Sequence, residues 1–244
     1  MEEEQIKTLE EAQKYVATLI TVYGRRGLAW KSENEFVLRV LAGDDDVGVR
    51  RNVAENWKTP EDVLIGLLND SDGETRHLAA SSQKLSKELI VELAKSDDDH
   101  VRAGAAENER LPRELIPELA NDKSALVRCG VARNKHTTTN ILEKFVDDAD
   151  EEVQTAAIES GCLSEKTYER LISGDDENLA ILAAENCGDE DIWQRIYSDE
   201  LDAKFSSVYE VAGEKLADYC PEWLKWFNEM DDPRLTDWER NFGR

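Results

Sequence analysis

The residues that could carry chemistry in this chain are four cysteines, three histidines, a row of arginines and a few acidic clusters. Their spacing decides what they can do. Cys129, Cys162, Cys187 and Cys220 form no C-x-x-C pair, so neither a zinc site nor a cluster is supported. Cys162 and Cys187 are 25 apart, which makes them neighbours if the chain repeats at about that interval. His77, His100 and His136 are scattered, so no metal triad or proton shuttle follows. Arg50, Arg76, Arg102 and Arg128 recur at one constant interval. As a functional row they would clamp a phosphate or carboxylate. As a structural row they would pair with Asp46, Asp72 and Asp98, which precede three of them by four residues, the spacing of charge pairs along a helix. The structural reading is the expectation. Asp97-Asp98-Asp99 and Asp175-Asp176-Glu177 lack the alternating oxygen ligands of a calcium loop and read as helix caps. There is no Gly-rich phosphate loop, nucleophile elbow or H-E-x-x-H. The expectation is no enzyme, with no catalytic residue, metal or cofactor.

The elements that carry these residues are set by one phrase. Val101-Arg102-Ala103-Gly104-Ala105-Ala106-Glu107-Asn108 returns in altered form with starts at Val49, Thr75, Val127, Val153 and Leu179, evenly spaced and without one insertion. A fixed period of this length means a repeat array. Each copy opens after Asp46, Asp72, Asp98, Ser124, Asp150 or Asp176, residues whose side chains satisfy free N–H groups at a helix start. It ends at Asn56, Ser82, Asn108, Asn134, Ser160 or Asn186, and asparagine suits a left-handed closing turn. A second helix begins near Pro60, Ser86, Pro112, Thr138 and Ser164 and presents three apolar ladders, one of them Leu64, Ile90, Ile116, Leu142 and Tyr168. Pro117 falls inside one copy, so these second helices are expected to be short and partly 3-10.

The fold expected is all-α: a right-handed solenoid of about six 26-residue two-helix repeats with helical caps. Residues 1–43 form an N-terminal cap, an amphipathic helix over 5–22 followed, after Gly24-Arg25-Arg26-Gly27, by a half-repeat. Residues 44–198 form the array, and residues 199–244 an aromatic-rich C-terminal cap and tail in which Trp223, Trp226 and Phe227 share one helical face.

The pattern V-R-x-x-V-A-x-N followed by T-P or L-P and L-L-x-x-L resembles the bacterial leucine-rich repeat variant family over residues 35–198. The resemblance implies a right-handed solenoid of alternating α and 3-10 helices, akin to HEAT and armadillo arrays, and almost no activity. The family's first structural example carries an iron–sulphur cluster in a cysteine-rich N-terminal module. Here the first cysteine is Cys129, so that module is not expected.

Charge narrows the partner. The chain holds 54 acidic and 30 basic residues, a net charge of −24, and residues 148–244 alone carry 26 acids against 9 bases. Phosphate affinity needs clustered Lys and Arg, so direct nucleic-acid binding is excluded, and an acidic field favours a basic partner. No apolar run approaches the length of a membrane span and Met1-Glu2-Glu3-Glu4 does not open a signal peptide, so no membrane contact and a cytoplasmic location are expected. The expected function is a non-enzymatic protein-binding scaffold. The alternative is an inhibitor of a nucleic-acid-acting protein, either an immunity protein to a nuclease toxin or a phage-type DNA mimic. The candidate binding residues are the variable positions of the first helices, two and six residues into the phrase: Arg51, Glu55, His77, Glu107, Arg133, Thr155, Glu159, Ile181 and Glu185, with Trp223 and Trp226 as a docking candidate at the end.

Overall fold

The computed structural model describes residues 3–19, 21–198, 201, 203–219 and 222. Among these, every regular element is a helix. The chain divides into two compact units, residues 1–137 and 138–244. Of the expected C-terminal cap, residues 201, 203–219 and 222 are described, while Cys220, Trp223, Trp226, Phe227 and residues 228–244 lie outside the described residues.

The first unit contains α1 (Leu9–Ala17), α2 (Val22–Lys31), α3 (Glu35–Leu41), α4 (Val47–Glu55), α5 (Glu61–Leu67), α6 (Gly73–Ser81), α7 (Lys87–Leu93), α8 (Asp99–Glu107), a 3-10 turn Arg113–Leu115 running into α9 (Ile116–Leu119), and α10 (Ala125–Arg133). The single helix expected over 5–22 is not there. Thr8 starts α1 with a reciprocal cap to Glu11, and Thr18 Oγ1 turns back onto the Tyr15 carbonyl at 2.6 Å. Thr21 then opens α2 by accepting from the Gly24 amide. Gly24-Arg25-Arg26-Gly27, expected as a break, therefore sits inside α2: two glycines weaken a helix, but an N-cap and two anchored arginines outweigh them. Thr8, Asn34 and Pro60 are evenly spaced N-caps, so α1 is itself a second-type helix and the repeat begins near residue 8.

Within each copy the first helix buries the constant positions. Val49, Val53 and Ala54, and their equivalents Thr75, Ala79, Ala80, Val101, Ala105, Ala106, Val127, Val131 and Ala132, are all buried. The second helices contribute Leu38, Leu64, Ile90 and Ile116, and each such side chain stabilises the fold by about 2 kcal/mol through apolar burial. The neighbouring ladder of Val63, Leu89 and Leu115 is only partly covered, with Leu89 and Leu115 half-buried. The expected Asp N-caps are present at Asp46, Asp72 and Asp98. The 3-10 geometry appears in the copy with Pro117, where the ring removes a backbone donor.

Asparagine does not close these helices through a left-handed turn. Asn56, Asn108 and Asn134 are extended, with φ between −66° and −73°. Their side chains satisfy the helix ends instead. Asn134 Nδ2 donates to the Ala106 and Asn108 carbonyls at 2.7 and 3.0 Å, and Asn108 Nδ2 donates to the Ala80 and Ser82 carbonyls at 3.2 and 2.9 Å. Each Oδ1 accepts the amide two residues on, at Arg110 or His136. A buried asparagine thus satisfies the orphan carbonyls at the end of the preceding helix, which no residue of that helix can reach.

The second unit contains α11 (Thr139–Phe145), α12 (Glu151–Glu159), α13 (Glu165–Ile172), α14 (Glu177–Asn186), α15 (Glu190–Tyr197) and α16 (Ser206–Tyr219). Its core is Leu142, Phe145, Ala157, Ile158, Tyr168, Ile172, Ala183, Ala184, Ile192 and Ile196, all buried. Here the first helices close differently. Gly161 and Gly188 take positive φ, 67° and 59°, directly after Ser160 and Cys187. Trp193 donates its indole N–H to the Ala184 carbonyl at 2.9 Å and lies against Tyr219 with ring centroids 5.5 Å apart.

Close helix approach in the first unit rests on glycine. A Cβ at Gly104 would lie 2.2 Å from the His77 carbonyl oxygen, and one at Gly130 would lie 2.4 Å from that of Ala103. Gly27, exposed on α2, has nothing within 4 Å of its missing Cβ. Gly104→Ala should therefore destabilise the protein by about 2 kcal/mol through overpacking, while Gly27→Ala should be stabilising by about 0.5–1 kcal/mol through helix propensity. Chemical denaturation of the two variants reads this contrast directly.

Candidate binding face

The arginine row is structural, but not in the way its sequence spacing suggests. None of Arg50, Arg76 and Arg102 pairs with the aspartate four residues before it; each reaches into the next repeat. Arg50 forks onto Asp70, Nε to Oδ2 at 2.7 Å and Nη2 to Oδ1 at 2.9 Å, while its Nη1 donates to the Asp44 carbonyl at 2.9 Å. Arg102 repeats this with Asp122 at 3.0 and 3.1 Å and with the Ser96 carbonyl at 2.7 Å. Arg25 likewise forks onto Asp44. In the repeat that follows Arg76, Ser96 stands where Asp70 and Asp122 stand for its neighbours. Its Nη2 turns to Asp98 at 2.8 Å and its Nε is buried with no partner. The helical i, i+4 pair fails because Asp46, Asp72 and Asp98 cap the amides of Val49, Thr75 and Val101 and are also taken by Arg26, Arg51 and Arg76 of the preceding repeat.

A second row runs beside the first. Arg26 forks onto Asp46 and Arg51 onto Asp72, the latter at 2.8 Å on both arms. Arg51, proposed from sequence as a binding residue, is thereby tied into the scaffold. The next position in its row is His77, whose Nε2 lies 3.0 Å from Glu107 Oε2. That bond lowers the Glu107 carboxyl from its ordinary range against the opposing effect of burial, with Arg133 adding to it. The row is closed at its next two positions. Ala103 and Cys129 are buried, because α8 packs on α6 and α10 on α8 at Gly104 and Gly130. The offset two residues into the phrase is thus open to solvent in some copies and closed in others.

The other candidate row remains available. Glu55, Arg133, Glu159 and Glu185 are exposed, Glu107 is half-buried against His77, and Thr155 and Ile181 are half-buried. Sequence reasoning overlooked a surface feature beside it. Trp57, just past α4, is 66 % exposed and carries Lys58 Nζ 4.0 Å from its ring centroid, and Trp30 at the end of α2 is 52 % exposed. Asn56 Nδ2 donates to the Trp30 carbonyl at 3.2 Å, so the two tryptophans share one edge. The signal was present: the slot of Trp57 holds Gln83, Glu109, Lys135 and Gly161 in later copies, so nothing in the fold requires an indole there. Among the described residues no group of three or more His, Cys, Asp or Glu side chains could hold a metal, and no helix is long and apolar enough to cross a membrane.

The rungs have a pH signature. The Arg50 guanidinium holds the Asp70 carboxyl below the usual aspartate range, and for Asp122 burial acts upward but is outweighed by Arg102 and the Ser124 amide. A carboxyl depressed in the folded state adds stability above its unfolded pKa, about 4, and that stability is lost as pH falls through the folded value. Arg102→Ala should cost about 2 kcal/mol at neutral pH, because it leaves Asp122 largely buried and unpaired, and the gap to wild type should close as the pH drops below about 4. Thermal melts of both proteins across that range check it; a gap unchanged in acid would show that the rung is not what Arg102 contributes.

No family model and no curated protein matches the chain in sequence. Solved structures do. A leucine-rich repeat variant with a novel repetitive structural motif is 21 % identical, with a TM-score of 0.45, over 86 % of this chain and 87 % of that one. YibA of E. coli is 18 % identical, with a TM-score of 0.52, over 86 % of this chain and 92 % of that one. At this identity the likeness to YibA speaks to architecture alone, and with the repeats read above it places this chain among the proteins with a helical-repeat fold.

Proposed function

We propose that this chain is a non-enzymatic protein-binding scaffold that captures a basic partner through its acidic surface. The observation that supports the reading is where the charge is used. In residues 1–137, with 26 acids and 20 bases, Arg25, Arg26, Arg50, Arg51, Arg76 and Arg102 are all turned inward onto carboxylates of the repeat itself. In residues 138–244, with 28 acids and 10 bases, Glu151, Glu152, Glu159 and Glu185 are exposed and none of them enters an ion pair with a described residue. A surface of that sign repels phosphate backbones and speeds encounter with a cationic protein. The helical-repeat fold suits the same task, since stacked helices offer a surface built from variable positions. A captured client that is itself a nuclease or another nucleic-acid enzyme would make the scaffold its inhibitor.

The test is capture by the tagged full chain from host lysate at low and at high salt, followed by association kinetics with the client that is held. The expected client is basic and is released by salt. Glu159→Lys combined with Glu185→Lys should slow its association about tenfold at low salt while leaving dissociation nearly unchanged. A neutral client held equally at both salt concentrations would overturn the reading.

A further inference from the structure

Two thiols in the second unit stand where consecutive repeats touch. Cys162 is exposed and follows Gly161 after α12; Cys187 is buried and precedes Gly188 after α14. Three observations bring these segments together. The Tyr168 hydroxyl donates to the Asn186 carbonyl at 3.2 Å. A Cβ on Gly161 would lie 3.8 Å from that same Asn186 oxygen. Burial raises the Tyr168 hydroxyl above its ordinary range, and the charges that Cys187 and Cys162 would carry act in the same direction. The repeat supplies precedent at the matching edge of the first unit. Glu109 and Lys135, one full period apart, form an ion pair, and Glu33 and Lys58, separated by the same interval as the two cysteines, meet at 3.3 Å. Long side chains one repeat apart at this edge therefore reach each other, and for the shorter cysteines the close approach is that of Gly161 to the Asn186 carbonyl.

We propose that Cys162 and Cys187 are an oxidation site that forms a disulfide in the presence of a peroxide, linking the exits of α12 and α14. The chemistry divides by environment. The thiolate of exposed Cys162 attacks one oxygen of hydrogen peroxide and is oxidised by two electrons; the S–O bond forms, the O–O bond breaks, one oxygen stays on sulfur as the sulfenic acid and the other leaves as hydroxide, which takes a proton from solvent to become water. The Cys187 sulfur then attacks the sulfenic sulfur. The S–S bond forms, the S–O bond breaks, and the departing hydroxide takes the Cys187 proton as a second water. Cys187 cannot be the first to react, since burial keeps its thiol protonated and its Sγ is turned to the Ala184 carbonyl at 3.6 Å. Gly188, at positive φ beside it, is the residue at which the backbone can turn the thiol outward. The third described cysteine, Cys129, is buried in the other unit and takes no part.

The experiment treats the full chain carrying Cys220→Ser with hydrogen peroxide and reads intact mass and a non-reducing peptide map. The expected product is lighter by two hydrogens, contains the Cys162–Cys187 linked peptide, and returns to the starting mass with dithiothreitol. Cys162→Ser should abolish the product and leave Cys187 reduced; Cys187→Ser should leave Cys162 to proceed to sulfinic acid, and Cys129→Ser should change nothing. Over-oxidised Cys162 beside an intact Cys187 thiol in the Cys220→Ser protein, or a disulfide found only between two chains, would overturn the proposal.

Discussion

A helix cannot satisfy its own ends, and this fold is built around that constraint. In the first unit the carbonyls left over at the end of one first helix are taken by the asparagine that ends the next, at Asn56, Asn108 and Asn134. The carbonyls in the loops before the first helices are taken by the arginines, which then fork onto an aspartate one repeat further on. Apolar ladders supply most of the burial energy. They do not fix spacing, because leucine on leucine tolerates sliding. The polar bridges do, since a carbonyl buried without its donor costs about as much as a lost core side chain.

Much of this was legible from residues alone. The period, the two helices per copy, the Asp caps, the constant buried positions and the disturbance at Pro117 follow from local chemistry repeated at a fixed interval. What failed has one cause: the sequence shows spacing along the chain, whereas the bridges run across it. Arg50 and Asp46 have the right interval to pair on one helix, yet Asp46 is engaged with Val49 and Arg26, and Arg50 finds Asp70. Asn108 looks like a left-handed stop until its amide proves to be aimed at Ala80 and Ser82. The N-terminal repeat was hidden because the interval from Arg25 to Arg50 falls one residue short of the period.

The candidate face was legible in part. The outer offset, with Glu55, Glu159 and Glu185, is as open as its variability suggests. The inner one is closed where Ala103 and Cys129 stand, because the small neighbours Gly104 and Gly130 pull the helices together. Glycine at one position thus decides the fate of the residue beside it, a coupling no single-position reading contains. Acidity, by contrast, could be read as a sum but not as a map, and the structure adds that the first unit's inner arginines are already engaged.

The exit slot after each first helix carries a different lesson. Trp57, Gln83, Glu109 and Lys135 occupy it in turn in the first unit, where the same backbone accepts an indole, an amide or either charge, whereas Gly161 in the second unit takes a positive φ. The bridging asparagine one residue earlier holds the segment in the first unit, so the slot itself is structurally silent. Such a position separates what a repeat presents to solvent from what keeps it folded. A chain built this way can change its surface one side chain at a time, copy by copy, without passing through an unfolded ancestor.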